Sequence, residues 1–135
     1  MEVAEGGIVI EVRGIHPPGS VVKGPYTPAV RAGNLLFCSG QIGVDPETGK
    51  LAPGGTVSEL RQTLVNLEAL LMAAGATKAS VVKTTLFLVD MGEFASANEA
   101  YAAFFTADPK PARSTVAVAA LPAGARVEIE AVAAL

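Results

Sequence analysis

From Ile8 to Arg13 the chain alternates apolar and polar residues at a period of two, which predicts a half-buried strand ended by Gly14 and the Pro17-Pro18-Gly19 cluster. Past the Gly24-Pro25-Tyr26 turn, Val30 and then Leu35-Leu36-Phe37-Cys38 predict a short hairpin around Gly33-Asn34, whose second arm ends at Ser39-Gly40-Gln41. Asp45-Pro46-Glu47-Thr48-Gly49 and Pro53-Gly54-Gly55 carry turn chemistry without periodicity and read as a surface loop. The period then changes. Thr56 and Glu59 stand at the spacing of a capping box, and Val57, Leu60, Leu64, Leu67 and Leu71 recur at intervals of three and four, predicting a helix closed by Gly75. Val81 to Val89 is rich in β-branched residues and predicts a central strand, with Val82, Thr84, Leu86 and Leu88 on one face and Lys83, Thr85 and Phe87 on the other. A second capping box, Asp90 to Glu93, opens a helix with the stripe Phe94, Ala97, Tyr101, Phe104 and Phe105, which stops before Pro109 and Pro111. Two strands close the chain, Arg113 to Ala119 and Arg126 to Ala133, joined through Leu121-Pro122-Ala123-Gly124.

The order β-β-β-α-β-α-β-β describes one α+β domain over residues 1–135, with no internal repeat. Leu35-Leu36-Phe37 and Val116-Ala117-Val118-Ala119 are apolar on both strand faces, so both sides of the sheet need cover. Two helices cover one side only. The other side would expose more apolar surface than monomers usually carry, which predicts association with further copies of the chain.

Composition narrows the chemistry. Charged residues make up 17% of the chain and the net charge is -3, which gives no electrostatic footprint for nucleic acid. The N-terminus has neither the basic start nor the apolar run of a signal peptide, and charged residues and glycines interrupt every later apolar stretch, so a cytoplasmic protein without membrane contact is expected. One cysteine and one histidine supply neither a disulfide nor a zinc ligand set, and no metal is expected. His16 lies in a loop between Ile15 and Pro17, Cys38 reads as a buried thiol, and Asp90 as a helix cap. There is no G-x-S-x-G elbow, no P-loop lysine motif and no G-x-G-x-x-G after a strand.

What remains is the inventory of the last two strands. Arg113 and Thr115 share one strand face, and Glu128 and Glu130 share another. If the strands pair, their polar faces can coincide. Ala117 and Ala119 would then leave a hollow in which the planar Arg113 guanidinium could hold a small carboxylate through two parallel hydrogen bonds. The plainer alternative is an ion pair between Arg113 and Glu128 or Glu130 on a solvated hairpin. Tyr26 and Ser39 end extended segments, where turn roles compete with ligand contacts. Asn98, a poor helix former beside an apolar stripe, suits either a side-chain hydrogen bond or a ligand.

Over most of its length the chain resembles the reactive-intermediate deaminase family, the RidA-like or YjgF family. The resemblance is carried by Gly24-Pro25-Tyr26, Gly33-Asn34-Leu35-Leu36-Phe37, Ser39-Gly40-Gln41-Ile42 and Asp45-Pro46-Glu47-Thr48-Gly49 in the first half. In the second half it is carried by Ala73-Ala74-Gly75-Ala76, Val81-Val82-Lys83-Thr84-Thr85, Asn98 with Tyr101, Pro111-Ala112-Arg113-Ser114-Thr115 and Val127-Glu128-Ile129-Glu130-Ala131. It implies a chorismate-mutase-like subunit, one mixed sheet with two helices on one face, assembling as a homotrimer with a site in each cleft between subunits. It further implies Arg113 on the substrate carboxylate, Glu128 activating the attacking water, and Tyr26, Ser39, Gly40, Asn98 and Thr115 lining the pocket. The implied reaction is hydrolysis of 2-aminoacrylate-type enamines and imines to 2-oxo acids and ammonia without a cofactor. Thr115 stands where many of these deaminases carry cysteine, Thr27-Pro28 replaces the more usual Ser-Gln after the tyrosine, and several residues precede the usual start. Two other roles compete: a regulatory protein that binds a small carboxylate in the same cleft, and the ribonuclease or translation inhibitor described for some relatives. The acidic charge balance disfavours the latter.

Overall fold

The computed structural model describes residues 1–135, with residues 3–5 described in backbone only. Seven strands form the sheet: β1 (Glu2–Glu5), β2 (Ile8–Ile15), β3 (Ala29–Ala32), β4 (Leu35–Gln41), β5 (Val81–Leu88), β6 (Ala112–Ala117) and β7 (Val127–Ala134). Their spatial order is β1-β2-β3-β4-β7-β5-β6, with β5 and β6 parallel and all other neighbours antiparallel. The helices are α1 (Thr56–Ala73) and α2 (Phe94–Phe104). The α+β layout is the expected one, with an additional strand: β1 folds back on the first half of β2 through Gly6 and Gly7, both at positive φ. Met1 to Glu5 is too short and too acidic to show strand periodicity in sequence. The Gly33-Asn34 turn is where expected, since Ala32 pairs with Leu35 and Gly33 takes a φ of 60°, a conformation open to a residue without a Cβ.

Both helices pack on one sheet face. Leu60, Leu64, Leu67 and Leu71 of α1 and Ala97, Tyr101 and Phe105 on and beside α2 meet Leu36, Leu86, Leu88, Val127 and Ile129 from the sheet. The opposite face is bare. Leu35, Phe37 and Val116 are 37%, 44% and 40% exposed on it, and Ile8 and Ile10 continue it onto the N-terminal hairpin at 67% and 43%.

Three local expectations are corrected. Neither capping box forms. Gly55, not Thr56, is the N-cap of α1, and Thr56 and Glu59 turn inward, where Glu59 Oε1 accepts from the Arg126 backbone N–H at 2.9 Å and Thr56 Oγ1 accepts from Arg126 Nε at 2.9 Å. Asp90 does cap, accepting from Gly92 N–H at 2.8 Å. It heads a short 3-10 turn, and Glu93 bonds Thr56 and Arg126 rather than reaching back. In β5 a register shift between Val81 and Lys83 puts Val81 in the core and Val82 in solvent, so the buried row is Val81, Thr84, Leu86 and Leu88.

Candidate functional site

The strands of the Arg113 and Glu128 segments do not pair. β5 lies between β6 and β7, and the register of the three strands points the polar faces inferred to coincide to opposite sides of the sheet. Arg113 stands beside Thr84 on β5, on the helix side. Glu128 and Glu130 stand beside Phe87 and Thr85, on the bare side. Glu128 is also level with Val116 of β6, three residues along from Arg113 and two strands across, which puts roughly 10 Å in each direction between their backbones in addition to the sheet itself. A single chain therefore gathers the expected residues into two groups rather than one hollow.

The first group surrounds Arg113. Its Nη1 donates to Asn98 Oδ1 at 2.7 Å, and its guanidinium carbon lies 4.7 Å from the centre of the Tyr101 ring and 5.6 Å from that of Phe94. Phe94, Asn98 and Tyr101 fall on one face of α2 because they are four and three residues apart. Thr115, half-buried, is two residues along β6 on the same face. Asn98 thus makes the side-chain hydrogen bond that the sequence left open. Neither expected ion pair forms: among the described residues no carboxylate lies within salt-bridge distance of Arg113, whereas Arg13, Lys78 and Arg126 all have one. Arg113 is a half-buried cation with one of its five N–H groups committed.

The second group lies on the other side. Ser39 Oγ donates to Thr27 carbonyl at 2.6 Å and Ser39 N–H to Pro28 carbonyl at 2.9 Å, tying the loop that carries Tyr26 to the end of β4. Tyr26 is 54% exposed. Next to Ser39, a Cβ on Gly40 would come within 2.9 Å of the Glu128 carboxyl carbon, so Gly40 leaves the space that the Glu128 side chain fills. Burial raises the Glu128 pKa, and the neighbouring Glu130 charge raises it further. A hollow of about 330 Å³ opens on this face beside the group, lined by Val30, Phe37, Ser39, Lys83, Thr85 and Glu130 among others. Lys83 Nζ donates to Thr84 carbonyl and, on β6, to Ser114 Oγ, both at 3.0 Å.

Elsewhere the chemistry is quiet. Cys38 is buried and its thiol is pushed up to about 11, which keeps it protonated and unreactive at neutral pH. His16 is exposed in its loop. Among the described residues no three His, Cys, Asp or Glu side chains cluster in a way that could hold a metal ion, and no helix is long and apolar enough to cross a membrane. Sequence reasoning missed Tyr101 as a partner of Arg113 by assigning it to the apolar stripe alone. The signal available was Asn98 three residues before it on the same helix face.

The sequence profile of the Endoribonuclease L-PSP family matches residues 19–135. A mouse (Mus musculus) protein named 2-iminobutanoate/2-iminopropanoate deaminase is 50% identical over 110 residues, which is 82% of this chain and 81% of that protein. The chloroplastic Reactive Intermediate Deaminase A of Arabidopsis thaliana is 49% identical over 112 residues, 83% of this chain and 59% of that protein. The crystal structure of the YjgF gene product of E. coli superposes with a TM-score of 0.81 at 42% identity, covering 90% of this chain and 98% of that one.

Proposed function

We propose, from the premise that this chain belongs to the Endoribonuclease L-PSP family, the YjgF/RidA family, that it is a cytoplasmic, single-domain deaminase working as a homotrimer without a cofactor. Its reaction is the hydrolysis of 2-aminoacrylate-type enamines and imines to 2-oxo acids and ammonia, a reading supported by curated relatives named as deaminases of 2-iminobutanoate and 2-iminopropanoate.

The observation that carries the reading is Arg113, a fixed, half-buried guanidinium with no carboxylate among the described residues to neutralise it. Such a group suits a ligand carboxylate, which its planar N–H fork binds through two parallel hydrogen bonds. The imine carbon next to that carboxylate is already electrophilic, so the protein has to orient it and deliver a water. Ionised Glu128 takes a proton from the water as oxygen adds to the carbon, and passes it to the imine nitrogen, which regenerates the carboxylate. The resulting carbinolamine collapses: its hydroxyl proton moves to nitrogen, the carbon–nitrogen bond breaks, ammonia leaves, and the new carbonyl completes the 2-oxo acid. An enamine first moves one proton from nitrogen to carbon to become the imine.

Because Arg113 and Glu128 lie on opposite sides of one sheet, the working site takes Arg113, Asn98 and Thr115 from one subunit and Tyr26, Ser39, Gly40 and Glu128 from the next. The bare apolar face supports such an assembly. The test is to generate enamines in situ from several amino acids and follow oxo acid formation. The purified protein should accelerate it well above the rate in buffer for at least one of them, and buffer rates throughout would overturn the reading.

A further inference from the structure

We infer that Tyr101 is a positioning residue for the reaction, its ring setting the plane in which Arg113 presents its guanidinium to the substrate carboxylate. The inference rests on Arg113 binding that carboxylate, and it assigns the orientation of the arginine to a residue outside the pocket lining.

The geometry is a closed triangle. Arg113 and Thr84 are neighbours in the parallel pairing of β5 and β6, so their side chains leave the sheet side by side. Thr84 Oγ1 and the Tyr101 hydroxyl are 2.7 Å apart in a fully buried hydrogen bond, and the ring then stands 4.7 Å from the Arg113 guanidinium carbon. Phe105, with its ring centre 4.6 Å from that of Tyr101 and its plane tilted by 45°, packs against the same ring. A ring held at its hydroxyl and packed by a second ring offers the cation a fixed surface. The negative face of an aromatic ring attracts a guanidinium and favours stacking over it. Asn98 fixes the rotation within the plane by accepting from Nη1, which leaves four N–H groups uncommitted. A flexible arginine has to lose rotamer freedom each time it forms the two-pronged contact, whereas this one has already lost it.

The test varies the charge on the ring face across a set whose members all lack the hydroxyl, so that the loss of the Thr84 bond is common to all. Phenylalanine and then phenylalanines with one, two and three ring fluorines are placed at position 101, because added fluorine drains the negative face while changing volume little. Across the fluorinated set the KM for the imine and the Kd for the product 2-oxobutanoate, read by calorimetry, should rise together in steps, by about fivefold in all. The kcat and the thermal midpoint should stay level. A flat Kd across the set would overturn the inference, as would a Kd that rises only as the thermal midpoint falls. Turnover by the unmodified protein separates this from the reading beneath it: if no imine is hydrolysed the deaminase reading fails, while the 2-oxobutanoate series still decides whether the ring governs carboxylate binding.

Discussion

Truncating Arg113 removes a hydrogen bond to Asn98 and contacts with the Tyr101 and Phe94 rings but, among the described residues, no ion pair, so Arg113→Ala should lower the thermal midpoint only modestly and leave the protein folded. Its cost should fall on catalysis. Losing one partner of a desolvated charge pair costs about 3 to 5 kcal/mol, which corresponds to at least about a hundredfold loss in kcat/KM. Arg113→Lys should not restore it, because an ammonium cannot supply two parallel donors. A stable Arg113→Ala protein with near wild-type turnover would remove the arginine from the site. Glu128 makes a second prediction. Its carboxyl is raised first by burial and then by Glu130, and a base must be ionised, so the acid limb of kcat/KM should lie above the range of a free glutamate. Replacing Glu130 by Gln takes away a negative neighbour and lowers the Glu128 pKa, so the limb should move to lower pH without reaching the free value. A pH profile on Glu130→Gln that stays put or moves upward would contradict this. The same shift carries a stability consequence: a carboxyl with a raised folded pKa contributes stability below its unfolded value and loses it as pH rises through the folded one.

At the scale of elements, the Thr56 and Glu59 pair shows what a sequence pattern can and cannot carry. The spacing that suggests a capping box is real, yet the buried Glu59 carboxylate serves Arg126 at the start of β7, 67 residues away, and Thr56 joins Glu93 and Arg126 in the same network. A local motif and a long-range anchor use the same residue types, and only tertiary packing chooses between them. Glu59→Ala should therefore cost more than a lost cap, about 1 to 3 kcal/mol, because the Arg126 N–H loses its acceptor. Urea unfolding would measure it, and a loss below half a kcal/mol would mean that water replaces the carboxylate. The six expected strands and both helices were legible because their periods of two and 3.6 follow from burial on one face. Their order in space was not. Nothing in β6 or β7 says that β5 inserts between them, or in which register, and together the insertion and the register separate Arg113 from Glu128. The candidate site residues were named through family resemblance, while their division between two sheet faces came only with the fold.

The whole molecule exposes 7689 Å² of surface, about 1,100 Å² more than the roughly 6,600 Å² that a compact monomer of 13.7 kDa presents. The excess fits a sheet with one bare apolar face and an N-terminal hairpin projecting from its edge, and it is of the size that one partner contributes to a stable interface. In the proposed trimer, closed association would turn that face inward and bring the Arg113 group of one subunit against the Glu128 group of the next. This arrangement makes a quantitative prediction. Arg113→Ala and Glu128→Gln should each be inactive alone. In a mixed trimer, a cleft is intact when its arginine comes from a Glu128→Gln subunit and its glutamate from an Arg113→Ala subunit. With equal amounts and random exchange, each of those choices is met half the time, so about a quarter of wild-type activity should return after co-refolding. Light scattering on the same sample should give three times the chain mass, and two distinguishable tags should confirm that hybrids form. Hybrid trimers that recover no activity would place arginine and glutamate of a single subunit in one site. Activity recovered in a sample that scatters as a monomer would mean that some other contact brings the two groups together.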